Sequence, residues 1–190
     1  KIGQSKFFRM ETFRYLLDKD IVFLSAGNVL HRCKKTGEIT DELILTYIPS
    51  DNFLSYGNTI ILFSDKGSIT FVNKDDLSVV SGLAVEQNQS PPVILDNFLY
   101  WFCVNKLYKI NLDTYLKEEI LIMAVPVTTR ISVADRNLIA CDKAGSMIKF
   151  NIDSKELYKL SLSKEKLSVP VVVENMAFTY SATSLYQVEI

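Results

Sequence analysis

The sequence predicts an all-β fold: a β-propeller of about five four-stranded antiparallel blades, closed by the N-terminal strand. Two spacings and one exclusion predict it. A phrase of aliphatic and aromatic residues that usually ends on Asn recurs five times. Its last positions are Cys33, Asn73, Asn111, Asn151 and Glu189, separated by 40, 38, 40 and 38 residues. A polar turn precedes each copy, at Lys19-Asp20, Gly57-Asn58, Asp96-Asn97, Arg136-Asn137 and Glu174-Asn175, and its second members lie 38, 39, 40 and 38 apart. Repeats of about 40 residues are the length of a propeller blade. Helical periodicity is sustained nowhere.

These marks divide each repeat into strands A to D. Strand A is the inner one, as in Phe13 to Leu17, Pro92 to Leu95 or Pro170 to Val173. Prolines 49, 91, 92, 126 and 170 precede it, where a missing N–H does least harm. The polar turn follows, with Asn or Asp suited to a left-handed hairpin position. Strand B comes next, as in Phe98 to Cys103 or Met176 to Tyr180. Turns such as Ala26-Gly27-Asn28, Asp65-Lys66-Gly67-Ser68 and Lys143-Ala144-Gly145-Ser146 lead into strand C, the recurring phrase. In strand C, Tyr108, Ile110 and Leu112 share one face while Lys109 and Asn111 share the other. A last polar turn, Lys34 to Glu38 or Lys74 to Asp76, leads into strand D. The blades are centred near 13–45, 51–85, 92–125, 130–162 and 169–190, in a single domain of 190 residues.

The fifth repeat ends with its strand C, and Ser5 to Met10 have no other repeat role. They are expected to supply the missing outer strand, which would remove an open sheet edge. The same spacing also suits an arc of a larger ring of seven or eight blades.

Composition fits a single folded domain, at 48% hydrophobic and 23% charged residues. Lysine and arginine number 21 against 22 acids, so the overall field lacks the basic excess of nucleic-acid binders, and no nucleic-acid partner is expected. The most apolar run, Ile120 to Val127, is far below the ~20 residues of a membrane helix, and no transmembrane segment is expected. Cys33, Cys103 and Cys141 lack metal-ligand spacing and read as small core residues. The single histidine, His31, shares its column with Phe71, Lys109, Lys149 and Gln187, and no nucleophile motif accompanies it. Phe98, Tyr100, Trp101 and Phe102 crowd one strand B, which neighbouring strands and blades should bury.

Two sets of residues are candidates for function. Loops held on a rigid scaffold are where binding usually resides. The longest polar loops join D to A and B to C, and Gln87, Asn88, Arg130, Lys143 and Lys164 are the contact candidates they carry. The alternative is a glycan- or small-molecule-active enzyme with Asp96, Asp135 and Glu174 gathered near a central shaft. Carboxylates within ~5–10 Å of one another could cleave a glycoside. Hairpin chemistry accounts for the same acids as turn residues.

Short motifs add a family comparison. Gly27-Asn28-Val29-Leu30 followed by Lys35-Thr36-Gly37-Glu38, and Asp142-Lys143 through Gly145 to Asp153, resemble the repeat of the pyrroloquinoline-quinone-type (PQQ-like) propellers. The family's quinoprotein dehydrogenases carry tryptophans after the Thr-Gly-Lys turn, an adjacent cysteine pair and a calcium site. Here Ile39 follows Thr36-Gly37-Glu38, Trp101 lies in another strand, and no two cysteines adjoin. The chain is therefore similar to the non-catalytic members, such as the propeller lipoprotein of the outer-membrane barrel assembly machine. That resemblance implies a scaffold without catalytic residues, cofactor or metal. It also implies a protein partner and a bacterial periplasm or cell envelope, while the cysteines lean to a reducing compartment such as the cytoplasm.

Overall fold

The computed structural model describes residues 14–19, 21–50, 53–64, 66–86 and 90–190. Within them the chain is all-β, with no helix, and it divides into two compact units, Lys1–Gln87 and Asn88–Ile190. In the first unit, β1 (Arg14–Asp18), β2 (Ile21–Ala26), β3 (Val29–Lys34) and β4 (Ile39–Ile44) form one antiparallel sheet in chain order. A second sheet holds β5 (Leu54–Tyr56), β6 (Thr59–Ser64), β7 (Ser68–Asn73) and β8 (Val79–Ala84). The other unit has three sheets. They are β9 (Val93–Leu95), β10 (Phe98–Cys103), β11 (Lys106–Asn111) and β12 (Lys117–Ile122); β13 (Ser132–Ala134), β14 (Asn137–Cys141), β15 (Ser146–Asn151) and β16 (Leu157–Ser161); and β17 (Val171–Val173), β18 (Met176–Tyr180) and β19 (Leu185–Glu189). The five sheets follow one another in the order expected of five repeats, the last with three strands. The expected closing segment, Ser5 to Met10, lies outside the described residues, as do Phe13, Asp20 and Asp65.

Burial grades across each sheet because the second strand has a strand on either side, whereas the fourth is an edge strand paired on one side only. In β10 every residue after Phe98 is buried, whereas all of β16 is exposed. Phe23, Leu30, Ile60, Leu62 and Val72 form the core of the first unit. In the second unit Tyr100, Phe102, Leu107, Leu138, Ile148 and Phe150 pack together, and Ile139, Cys141, Met147 and Ala177 make a further cluster. The aromatic strand is thus core, with Trp101 fully buried and stacked on Tyr108 at 5.3 Å. All three cysteines are buried outside any disulfide.

The Asn that closes the phrase has a defined task. Oδ1 of Asn73, Asn111 and Asn151 accepts the N–H two residues on, at 2.8, 2.9 and 3.0 Å, which holds an Asx turn between strands C and D. Each loop then carries a left-handed residue, at Leu77, Tyr115 and Lys155. The residue after each Asn donates back to the A–B turn, Lys74 to Asn58 O, Leu112 to Asn97 O and Ile152 to Arg136 O, at 2.8–2.9 Å. These two turns make one end of each sheet, here the turn end.

The A–B turns differ from expectation in two respects. In the fourth repeat the turn is Asp135-Arg136, since Asn137 already pairs with Ala134 in the ladder. With that shift the second turn residues 58, 97, 136 and 175 are spaced evenly by 39. The left-handed residue is the first of each pair and not the Asn: Lys19, Gly57, Asp96, Asp135 and Glu174 have φ of 50–55°.

The opposite end, here the loop end, is built from B–C turns and D–A linkers. A hydroxyl series absent from the sequence reading holds it together. Ser50, Ser90, Thr128 and Ser168 donate their N–H to Phe63, Phe102, Cys141 and Tyr180 carbonyls at 2.7–3.0 Å. Side chains complete the latch, because Phe102 N–H donates to Ser90 Oγ at 3.1 Å, Cys141 N–H to Thr129 Oγ1 at 2.8 Å and Tyr180 N–H to Ser168 Oγ at 3.0 Å. Ser90→Ala leaves a buried N–H without its acceptor and is expected to cost about 1–3 kcal/mol in urea unfolding. Ser50→Ala should cost less within the latch, since its hydroxyl donates to Phe63 O, a carbonyl that keeps the Ser50 N–H as a donor. Equal losses would refute this account of the latch.

Candidate functional site

Three of the contact candidates come together on the loop end of the fourth repeat. The turn Asp142-Lys143-Ala144-Gly145 is organised by Asp142, which is fully buried. Its Oδ1 accepts the N–H groups of Ala144 and Ser146, both at 2.9 Å. Its Oδ2 has Lys159 Nζ at 2.7 Å, close enough to balance the charge though off the line of a hydrogen bond. That arrangement leaves Lys143 on the outside of the turn, exposed.

Two linkers are tied to this turn. On one side Lys143 N–H donates to Pro126 O at 2.8 Å, and Val127 forms a bridge with Asp142. Val127 N–H also donates to Val104 O at 2.8 Å, which joins the turn of the third repeat to the same linker. Arg130, exposed, follows Thr129 on that linker. On the other side Gly145 O accepts both Leu162 N–H and Ser163 N–H, at 3.1 and 3.0 Å. Lys164 follows and is exposed. Thr183 of the fifth repeat reaches Glu165 Oε2 at 3.5 Å, so the turns of repeats three, four and five form one hydrogen-bonded platform. Gly145 permits the approach: a Cβ there would lie 2.4 Å from Ser163 O and 2.6 Å from Glu165 O, with φ at +78°. Gln87 and Asn88 lie outside the described residues.

Asp142 and the latch hydroxyls are functional-site residues that sequence reasoning misses. A signal for the latter stands in the sequence, because Ser50, Ser90, Thr129 and Ser168 recur at spacings of 40, 39 and 39 residues, each within three residues of a proline. Asp142 lacked one: an Asp at a polar turn does not disclose its burial.

The first unit carries an open groove of about 570 Å³ at its own loop end, lined by Asn28, Tyr47, Ile48, Pro49, Ser50 and Lys66. Tyr47 OH donates to Thr70 Oγ1 at 2.7 Å, and burial pushes the phenol pKa up. A neutral phenol held this way packs the groove wall.

The acids of the enzymatic alternative all occupy the left-handed A–B position at the turn end, and all three are exposed. Asp96 is engaged by Arg136, which also holds both Asp153 oxygens at 2.9 Å. The guanidinium keeps the Asp153 carboxyl below the usual carboxylate range. Among the described residues no three His, Cys, Asp or Glu side chains group as metal ligands. His31 Nδ1 lies 3.0 Å from Glu42 Oε1, out of line for a hydrogen bond. Burial raises the Cys141 thiol to about 11, so it is protonated at neutral pH and inert as a nucleophile. This geometry does not favour a shaft-acid enzyme.

No protein-family model matches the chain, and no curated protein matches it. Solved structures do. BamB from Moraxella catarrhalis, a PQQ-like propeller lipoprotein, is similar at a TM-score of 0.72 and 14% identity, over 92% of this chain and 56% of that one. The computationally designed Ika8 protein is similar at 0.74 and 10% identity, over 93% and 57%. The designed Ika4 protein is similar at 0.62 and 9% identity, over 73% and 89%. The fold is β-propeller-like. The chain spans just over half the length of BamB and of Ika8, and identities of this order make the likeness one of fold. No helix among the described residues is long and apolar enough to cross a membrane.

Proposed function

We propose that this chain is a non-enzymatic propeller scaffold that binds a protein partner through its loop end. Arg130, Lys143 and Lys164 are the contacts on the platform of the fourth repeat, with Gln87 and Asn88 as further contacts between β8 and β9. The observation that carries the reading is that linkers and turns from three repeats are hydrogen-bonded into one surface on rigid sheets, with these cations exposed on it. Fold-level likeness to a propeller lipoprotein supports a scaffold. Binding by such a surface needs no catalytic group, only complementary shape and charge from loops whose ordering cost is met in folding.

A photo-crosslinking amino acid placed at Ala144 and identification of the captured chain by mass spectrometry would supply the partner. Calorimetry with that partner should then show affinity falling about tenfold or more for Arg130→Ala combined with Lys143→Ala, as for loss of two interfacial charges. Undiminished affinity in the double variant, with the fold intact, would remove the loop end as the binding face.

A further inference from the structure

The unit Asn88–Ile190 is electrically polarised along its strands. Its loop end exposes Lys143, Lys164 and Lys166 against the exposed acid Glu165, because Asp142 is buried and balanced by Lys159. Its turn end carries Asp96, Asp113, Asp135, Asp153, Glu156, Glu174 and Glu189 against Lys117, Arg136 and Lys155. The near-zero charge of the whole chain conceals this separation. Arg136 is held between Asp96 and Asp153, and the remaining acids still outnumber the cations, so the turn end carries a net acidic surplus. The first unit shows no such division, since Lys19, Lys34, Lys35 and Lys74 stand among the acids of its turn end.

We infer that the loop end of this unit docks an acidic segment of a partner protein, a refinement that rests on the loop-end reading above. Cations on the turn at residues 141–145 and on the strap hydrogen-bonded to it through Gly145 O present a surface whose geometry is set before binding. Exposed Val104 and Val169 lie on the same end and suit a segment in which acids alternate with apolar side chains. The separated charge would steer such a segment to this end and turn it from the other, an effect that weakens as salt shortens the Debye length. A nucleic acid is the less suited occupant, because three cations on one turn and one strap make no continuous track along a phosphate backbone.

Fluorescence anisotropy with the full chain tests the inference. The probes are a labelled twelve-residue peptide of Asp-Glu-Leu repeats, its Ser-Gln-Leu counterpart and a twelve-nucleotide thymidine strand. The acidic peptide should bind at least about tenfold more tightly than the neutral one at low salt. Its binding should be lost in the combined Lys143→Glu, Lys164→Glu and Lys166→Glu variant. It should persist when Asp135→Lys and Glu174→Lys are introduced at the turn end, where Lys19 shows that lysine is accommodated. Ala144→Trp obstructs the platform without changing its charge. Binding lost in Ala144→Trp but kept in the charge reversal would overturn the acidic partner and leave the loop-end reading standing. Binding indifferent to both would remove the two together. Absence of acidic-peptide binding, or tighter binding of the thymidine strand, would also overturn the inference.

Discussion

Gly145→Ala should lower stability by about 2–5 kcal/mol and loosen the platform. The left-handed backbone at φ +78° costs a non-glycine residue about 1–2 kcal/mol, and intrusion on packed atoms adds about 1–3 kcal/mol. The added methyl would meet two carbonyl oxygens, Ser163 O at 2.4 Å and Glu165 O at 2.6 Å, and neither can rotate away as a side chain could. Relief requires the strap of residues 162–165 to move, which breaks the two bonds accepted by Gly145 O. Urea unfolding measures the loss, and faster amide exchange at Leu162 and Ser163 reports its location. Gly37→Ala is the control, with φ +90° and nothing within 4 Å of the added atom, so only the conformational part of the cost applies. Similar losses in both variants would mean that the strap does not depend on close approach.

Phe102→Ala is expected to cost about 3–5 kcal/mol, the range for removing a large aromatic from a packed core. Phe102 is 2% exposed and packs in the cluster with Leu107, Leu138 and Phe150. Its backbone also receives the Ser90 latch on both its N–H and its C=O. The cavity therefore opens where the third repeat meets the fourth and where a linker is fastened. Tyr158→Ala, an exposed aromatic of β16, should change the unfolding midpoint little, apart from its cation–π contact with Lys149 and the exposed bond its hydroxyl donates to Glu156 Oε2. A comparable loss at Tyr158 would contradict the gradient of burial from strand B to strand D.

Most of the fold was legible in the chain because it is written five times. β10 and β18 begin and end where the sequence placed them, and the phrase corresponds to β3, β7, β11, β15 and β19 within one residue. Repetition supplied that accuracy, since a turn ambiguous in one copy is set by its phase in the others. The fourth A–B turn shows the limit. Asn137 is the better turn residue by type, yet the ladder takes it, because the φ-positive corner falls on Asp135 and Asn137 is the first partner of Ala134. Composition favours a residue for a turn, and pairing register decides which of two neighbours occupies it.

The candidate site was legible only as loops. Arg130, Lys143 and Lys164 are 13 and 21 residues apart in sequence, and no local pattern brings them together. They meet because Pro126 O and Gly145 O accept bonds across the B–C turn, which requires β14 and β15 to be paired already. The same holds for the charge separation, which exists only once alternate turns are sorted to opposite ends of the sheets.

Sequence alone determined the all-β class, the five-fold repeat, the buried aromatic strand and the structural character of its cysteines, because periodicity and side-chain type suffice for each. Tertiary structure alone decided that Asp142 is a buried organiser, that Asp96, Asp135 and Glu174 are exposed corners, and that cations from three loops share one surface. Those facts depend on burial and on hydrogen bonds between distant segments, and such interactions leave no local trace in a single chain of letters.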